Sequence, residues 1–152
     1  MEEENLTPQV TDKPKKRKRN GSKKAEKTKK LLKSHVTGEN CHCTRFNCFE
    51  NTTPQDRSQI IAHFNELLTK DEQDSLLASH ISCELIKRRR PRNDENMARF
   101  HDHSYQYSVN VIRNDNAVKL PVCVKAFQAI FGIGIKRIRR VRHAKETTGY
   151  IV

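Results

Sequence analysis

VKAFQAIFGIGIKRIRRVRH, Val124 to His143, sets an apolar helix, a glycine break and an arginine-studded helix in succession. The spacing predicts a first helix that turns Phe127 and Phe131 inward, then a tight turn at Gly132-Ile133-Gly134. A second helix, starting near Ile135, packs Ile138 and Val141 against the first. Lys136, Arg139, Arg140 and His143 then share the opposite arc, with Arg137 and Arg142 flanking it. This is the layout of a helix-turn-helix, whose second helix can lie in the DNA major groove. Five cations in seven residues, with no acid before Glu146, exceed what solubility requires. Lys136, Arg137, Arg139, Arg140 and Arg142 are therefore the candidate nucleic-acid contacts; the competing view is an ordinary solvated face. Gln128 departs from the pattern, because a small residue usually stands four positions before the glycine and lets the helices approach.

Upstream of this stretch, Tyr105, Tyr107, Val109 and Val111 alternate with polar residues, and so do Val118, Leu120 and Val122. With Asn114-Asp115-Asn116 as turn chemistry between them, they read as a β-hairpin. Farther back, Thr53 suits an N-cap, Pro54 the first helical position, and Asp56 stands three residues after the cap. Ile60, Ile61, Phe64, Leu67 and Leu68 form that helix's core stripe. A second helix is expected near Asp71, with Leu76, Leu77 and Ile81 buried and Thr69-Lys70 as the connection. Cys83 to His103, containing KRRRPR at Lys87 to Arg92, reads as an exposed loop. Its Arg88, Arg89 and Arg90 are further candidates for phosphate contact, by the bidentate geometry of guanidinium, or for half of a nuclear-import signal.

The N-terminal segment places twelve Lys and Arg residues between Lys13 and Lys33, with Glu26 the sole acid among them. It has too little apolar surface to offset the entropy of ordering, so disorder is expected over residues 1–35. Lys15, Lys16, Arg17, Lys18 and Arg19 resemble a nuclear-import signal that would recruit an import receptor, and the clusters together would add salt-sensitive phosphate affinity. The chain of 152 residues carries a formal net charge of +12, which makes a polyanion the expected partner. No signal-peptide core or membrane-length apolar run is present, so a membrane partner is not expected.

Five cysteines without a secretory signal argue against a disulfide framework. Cys41, Cys43 and Cys48 lie within eight residues, and soft thiolates at that spacing favour structural Zn2+ in a tetrahedral site. Cys123 is the first candidate for the fourth ligand, followed by His42 and Cys83, with His35 behind them. Cys83 and Cys123 are equally explained as small apolar residues. His101 and His103 fit an exposed loop; His63 and His80, beside or within apolar stripes, fit packing. No phosphate-binding glycine loop, nucleophile elbow or deaminase signature occurs, so neither an enzyme nor a small-molecule substrate is expected.

The succession of C-H-C at Cys41, C-F-E-N-x-T-P-Q-D-R at Cys48 to Arg57, D-E-Q-D-S-L-L-A at Asp71 to Ala78, K-R-R-R-P-R, Y-x-Y-x-V and V-C-V-K-A-F-x-x-I-F-G-I resembles a group of arthropod and other invertebrate proteins associated with transposable elements. The resemblance implies an N-terminal DNA-recognition module, with Cys41, Cys43, Cys48 and Cys123 acting together. It carries over no nuclease or strand-transfer activity, because the larger region that follows the module in such proteins is not in this sequence.

The sequence therefore predicts an α+β protein: a disordered basic tail to residue 35, a domain over 36–146 and a short tail over 147–152. In order, the domain holds a cysteine-rich knot, two helices, a β-hairpin and a helix-turn-helix-like pair. The function expected is binding of nucleic acid, duplex DNA above all, in the nucleus. The alternatives are an RNA-binding or ribosome-associated protein, and a module whose basic face docks an acidic protein.

Overall fold

The structure, a computed structural model, describes residues 21–88 and 101–148. Its order is α1 (Gly21–Leu32), α2 (Cys48–Asn51), α3 (Pro54–Glu66), α4 (Lys70–Ser79), β1 (Ile81–Leu85), β2 (His103–Arg113), β3 (Asn116–Val122), α5 (Val124–Phe131) and α6 (Ile135–Thr148). The three strands form one antiparallel sheet in sequence order. The protein is α+β, as its alternating and helical apolar patterns require. No described helix is long and apolar enough to cross a membrane.

The β2–β3 hairpin closes with Arg113 opposite Asn116, leaving Asn114 and Asp115 as a two-residue turn. Both have positive φ, 49° and 61°, the handedness that matches the twist of the flanking strands. Their side chains are among the few that tolerate it. In α3, Thr53 accepts from the Asp56 N–H while the Asp56 carboxylate accepts from the Thr53 N–H. This reciprocal cap stabilises the helix start by about 1 kcal/mol. Thr69 and Glu72 repeat the device at α4, so the expected Thr69-Lys70 connection is itself a helix start.

Phe64 of α3 meets Phe131 of α5 edge-on, with ring centroids 5.3 Å apart, and Phe127 lies tilted against Phe131 at 4.9 Å. Leu77, Val109, Ile130 and Ile138 complete a dry centre with these rings. The apolar spacing of the two C-terminal helices is thus satisfied, but their partners differ from those expected. α5 rests on α3 and β2, whereas α6 rests on α4 and β1. Ile138 and Val141 are buried without a tight α5–α6 crossing, and Gln128 has no close helix approach to obstruct.

Gly132 ends α5 with φ 60°. Its N–H bonds to the Ala129 carbonyl and the Ile133 N–H to that of Gln128, the Schellman pairing. A Cβ on Gly132 would stand 2.4 Å from the Val36 carbonyl oxygen, because residues 33–40 cross over the end of α5. The Gly38 N–H donates to the Ala129 carbonyl at 2.8 Å in the same crossing.

Four expectations are corrected. The described part of the basic tail is helical over Gly21–Leu32, not disordered, since Lys, Ala and Leu favour helix and Leu32 is buried in the domain. Ile81 opens a strand instead of closing α4, because His80 caps the helix one residue earlier; β1 occupies the start of the expected loop. Leu68 is 70% exposed, since the chain leaves helical geometry at Leu67 and the stripe is broken there. His63 is solvent-exposed beside Glu66, whereas His80 is buried against Phe131, where burial lowers its pKa.

Candidate metal centre and basic face

Two stretches far apart in sequence deliver the cysteines. Cys41 and Cys43 lie in the irregular segment before α2, Cys48 is the first residue of α2, and Cys123 is the N-cap of α5 where β3 leaves the sheet. The Sγ atoms of Cys41, Cys48 and Cys123 all lie within 4.8 Å of one another. Cys43 lies beside this trio and close enough to Cys123 and Cys48 for their thiols to influence its own, but it does not join the three within that distance. Cys83 stands apart on β1.

Backbone N–H groups are aimed at the sulfurs. The Cys123 N–H donates to Cys48 Sγ at 3.3 Å and the Ala126 N–H to Cys123 Sγ at 3.3 Å. A hydrogen bond from the Phe46 backbone lowers the pKa of Cys43. Cys48 behaves oppositely: burial, with the nearby Cys123 and Cys41 sulfurs, pushes its thiol up to about 12. Burial likewise raises Cys123. Thiolates brought this close together repel unless a cation lies between them. An ion about 2.3 Å from each of four tetrahedral sulfurs needs sulfur separations of about 3.8 Å, so the cluster is compatible with a bound metal ion.

The arginines of α6 divide into two sets. Arg137 is turned into the domain. Its Nε donates to Asp74 Oδ1 at 2.7 Å, its Nη2 to Gln73 Oε1 at 3.1 Å, and its Nη1 lies 3.3 Å from His35 Nε2. The Gln73 amide, fully buried, also donates to the Leu32 and Phe64 carbonyls. Arg142 donates to the Tyr107 hydroxyl at 2.8 Å and lies over the Tyr105 ring. Lys145 bonds the carbonyls of Ala78 and Ile81 where α4 gives way to β1. Arg137 and Arg142 thus hold α6 to the domain and are not placed as outward contacts. The physical reason is that a helix on a curved core buries the roots of its flanking side chains, and only long polar ones reach a partner there.

Lys136 and Arg139, by contrast, are exposed and have no ionic partner among the described residues. Arg140 is half exposed, 3.7 Å from Asp74 Oδ2. His143 extends this arc beside Glu146. Lys23, Lys24, Lys27, Lys29 and Lys30 of α1 add a second exposed basic surface. Arg88 is exposed just after β1, whereas Arg89 and Arg90, and Lys15, Lys16, Arg17, Lys18 and Arg19, expected as an import signal, lie outside the described residues.

Sequence reasoning missed the inner network of His35, Asn65, Gln73, Asp74 and Arg137. D-E-Q-D in α4 offers an acid and an amide in a helical first turn, but nothing local pairs them with a residue sixty positions away. Compared with protein-family models, curated proteins and solved structures, the chain matches none.

Proposed function

We propose that this chain is a DNA-binding domain of transposable-element descent that acts in the nucleus, and that its cluster of Cys41, Cys48 and Cys123, with Cys43 as fourth ligand, holds a structural Zn2+. The observation that carries the reading is the outer arc of α6. Lys136, Arg139 and Arg140 are exposed there, and Asp74, 3.7 Å from Arg140, is bonded more closely to Arg137 at 2.7 Å. Three guanidinium or ammonium groups on one helical face can neutralise phosphates along a duplex backbone, with Arg139 and Arg140 also able to reach guanine edges. The lysines of α1 add affinity without sequence preference.

Zinc is favoured over other metals by an all-sulfur donor set, which suits its tetrahedral coordination. Cys41, Cys43, Cys48 and Cys123 would hold it, and it would tie the irregular segment before α2 to the start of α5. Its role there is structural, because four protein ligands leave no open position for chemistry.

Selection from random duplexes, followed by titration in rising salt, tests the binding claim. The double variant Lys136→Glu/Arg139→Glu is expected to lose at least tenfold in duplex affinity with its melting temperature unchanged. Full retention of affinity overturns the reading and leaves docking of an acidic protein as its successor. Tighter binding to structured RNA than to duplex DNA at every salt overturns the DNA assignment. One zinc per chain by metal analysis, lost in Cys48→Ser, is the expected result for the centre.

A further inference from the structure

Beside the cysteine cluster the sheet has a notch. β3 ends at Val122, opposite Tyr107, so β2 continues from Gln106 to its start with β1 alone as neighbour. The cysteine-bearing segment closes the far side of this notch with Arg45 and Phe46. The result is a groove of about 620 Å³ lined by Arg45, Phe46, Ser82, Tyr105, Gln106 and Lys119, among others. No acidic residue is among those lining it.

Its chemistry is consistent along its length. Arg45 lies over the Phe46 ring, 4.9 Å from the centroid, making a guanidinium shelf on an aromatic base. Tyr105 forms another wall and is covered on one side by Arg142, 4.2 Å from its centroid. Lys119 stands exposed on β3, and Gln106 and Ser82 offer both donors and acceptors. Cations for phosphates, a planar shelf for stacking and an amide for base edges are what unpaired nucleotides require. The volume falls within the ~300–1,000 Å³ of small-ligand sites, which admits a nucleotide but no duplex. Arg142, which covers the Tyr105 ring, belongs to α6, so the helix that carries Lys136 and Arg139 touches one wall of the groove without lining it.

We infer that this groove binds a single-stranded nucleic-acid segment, with phosphates on Arg45 and Lys119 and a base stacked on the Arg45–Phe46 shelf. The inference deepens the DNA-binding reading, adding to a helix that grips duplex a second site for strand that has left it. A junction between duplex and unpaired strand would engage both. It does not need the α6 contacts to be correct, since the two surfaces can be altered separately.

The test uses the full chain and fluorescence anisotropy with three probes: a single-stranded oligothymidylate, a blunt duplex, and an acidic peptide of matched charge. Lys119→Glu, which alters no cysteine or cysteine neighbour in sequence, and Arg45→Glu/Lys119→Glu are compared with Lys136→Glu/Arg139→Glu, all checked for metal content and melting temperature. The groove variants are expected to lose at least tenfold in single-strand affinity and to hold duplex affinity within about twofold. Removing two phosphate contacts should also make the salt dependence shallower by about 1.4, at ~0.7 per contact on a single strand. Undiminished single-strand binding by the groove variants, equal loss on both nucleic acids, no binding of the oligothymidylate by the wild-type chain, or equal competition by the acidic peptide overturns the groove. If only the α6 variant fails to change duplex binding, the groove stands and the α6 reading falls.

Discussion

Replacing Arg137 with alanine separates an architectural arginine from a nucleic-acid contact. Arg137 and Asp74 are nearly buried, with side chains 15% and 13% exposed, and they share a 2.7 Å charge-assisted bond. Removing one partner of such a pair typically costs about 3–5 kcal/mol, because the other charge is left without solvent or counterion. Gln73 Oε1 loses its donor as well. Arg140, 3.7 Å from the same carboxylate and more exposed, recovers part of the loss. The net expectation is about 3 kcal/mol, a large fraction of the 5–15 kcal/mol that holds an ordinary domain. The melting midpoint should fall by roughly 10–20 °C. Urea unfolding followed by circular dichroism reads this directly, and Arg137→Ala/Asp74→Ala should regain stability by removing the stranded charge. Duplex affinity of the folded protein at low temperature should change by less than about threefold. A loss of stability under about 1 kcal/mol, together with a tenfold loss of affinity, would refute the reasoning and return Arg137 to the outward face.

Two further outcomes follow from the same geometry. Gly132→Ala meets both a left-handed backbone and a Cβ 2.4 Å from the Val36 oxygen, so equilibrium unfolding should show a loss above about 2 kcal/mol. Gly134→Ala, with nothing within 4 Å, should stay within about 1 kcal/mol of wild type. Asp56 gives an acid dependence. Bidentate bonds from Arg113 at 2.7 and 2.6 Å, with the Thr53 cap, hold its carboxyl well below the usual carboxylate range. Its contribution is full above the unfolded pKa of about 3.9 and is lost as pH falls through the depressed folded value. Urea midpoints measured downward from pH 5 should therefore fall less steeply in Asp56→Asn than in wild type; parallel curves would remove Asp56 as a source of acid lability.

Some of the site is legible without coordinates because the responsible forces are local. The Thr53-Pro54-Asp56 cap, the Asn114-Asp115 turn and the Gly132 break each act within a few residues, and each stands where its residue types require. The cysteines are an intermediate case. Cys41, Cys43 and Cys48 are close in sequence and so must be close in space, whereas Cys123 joins them only because β3 ends beside α2. Arg137 and Lys136 illustrate the limit. Adjacent and both cationic, they differ by one helical step, and that step takes one into the domain and leaves the other in water.

From the chain alone, then, come its helix and strand periods, its caps and turns, its thiol cluster of three and its surplus of positive charge, all consequences of neighbours in sequence. Tertiary structure decided which cations are already paired, where the fourth thiol sits, and that a groove opens where β3 leaves β2. Each of these depends on contacts between residues tens of positions apart, and a carboxylate such as Asp74 selects its arginine by distance in the folded core, not by order along the chain.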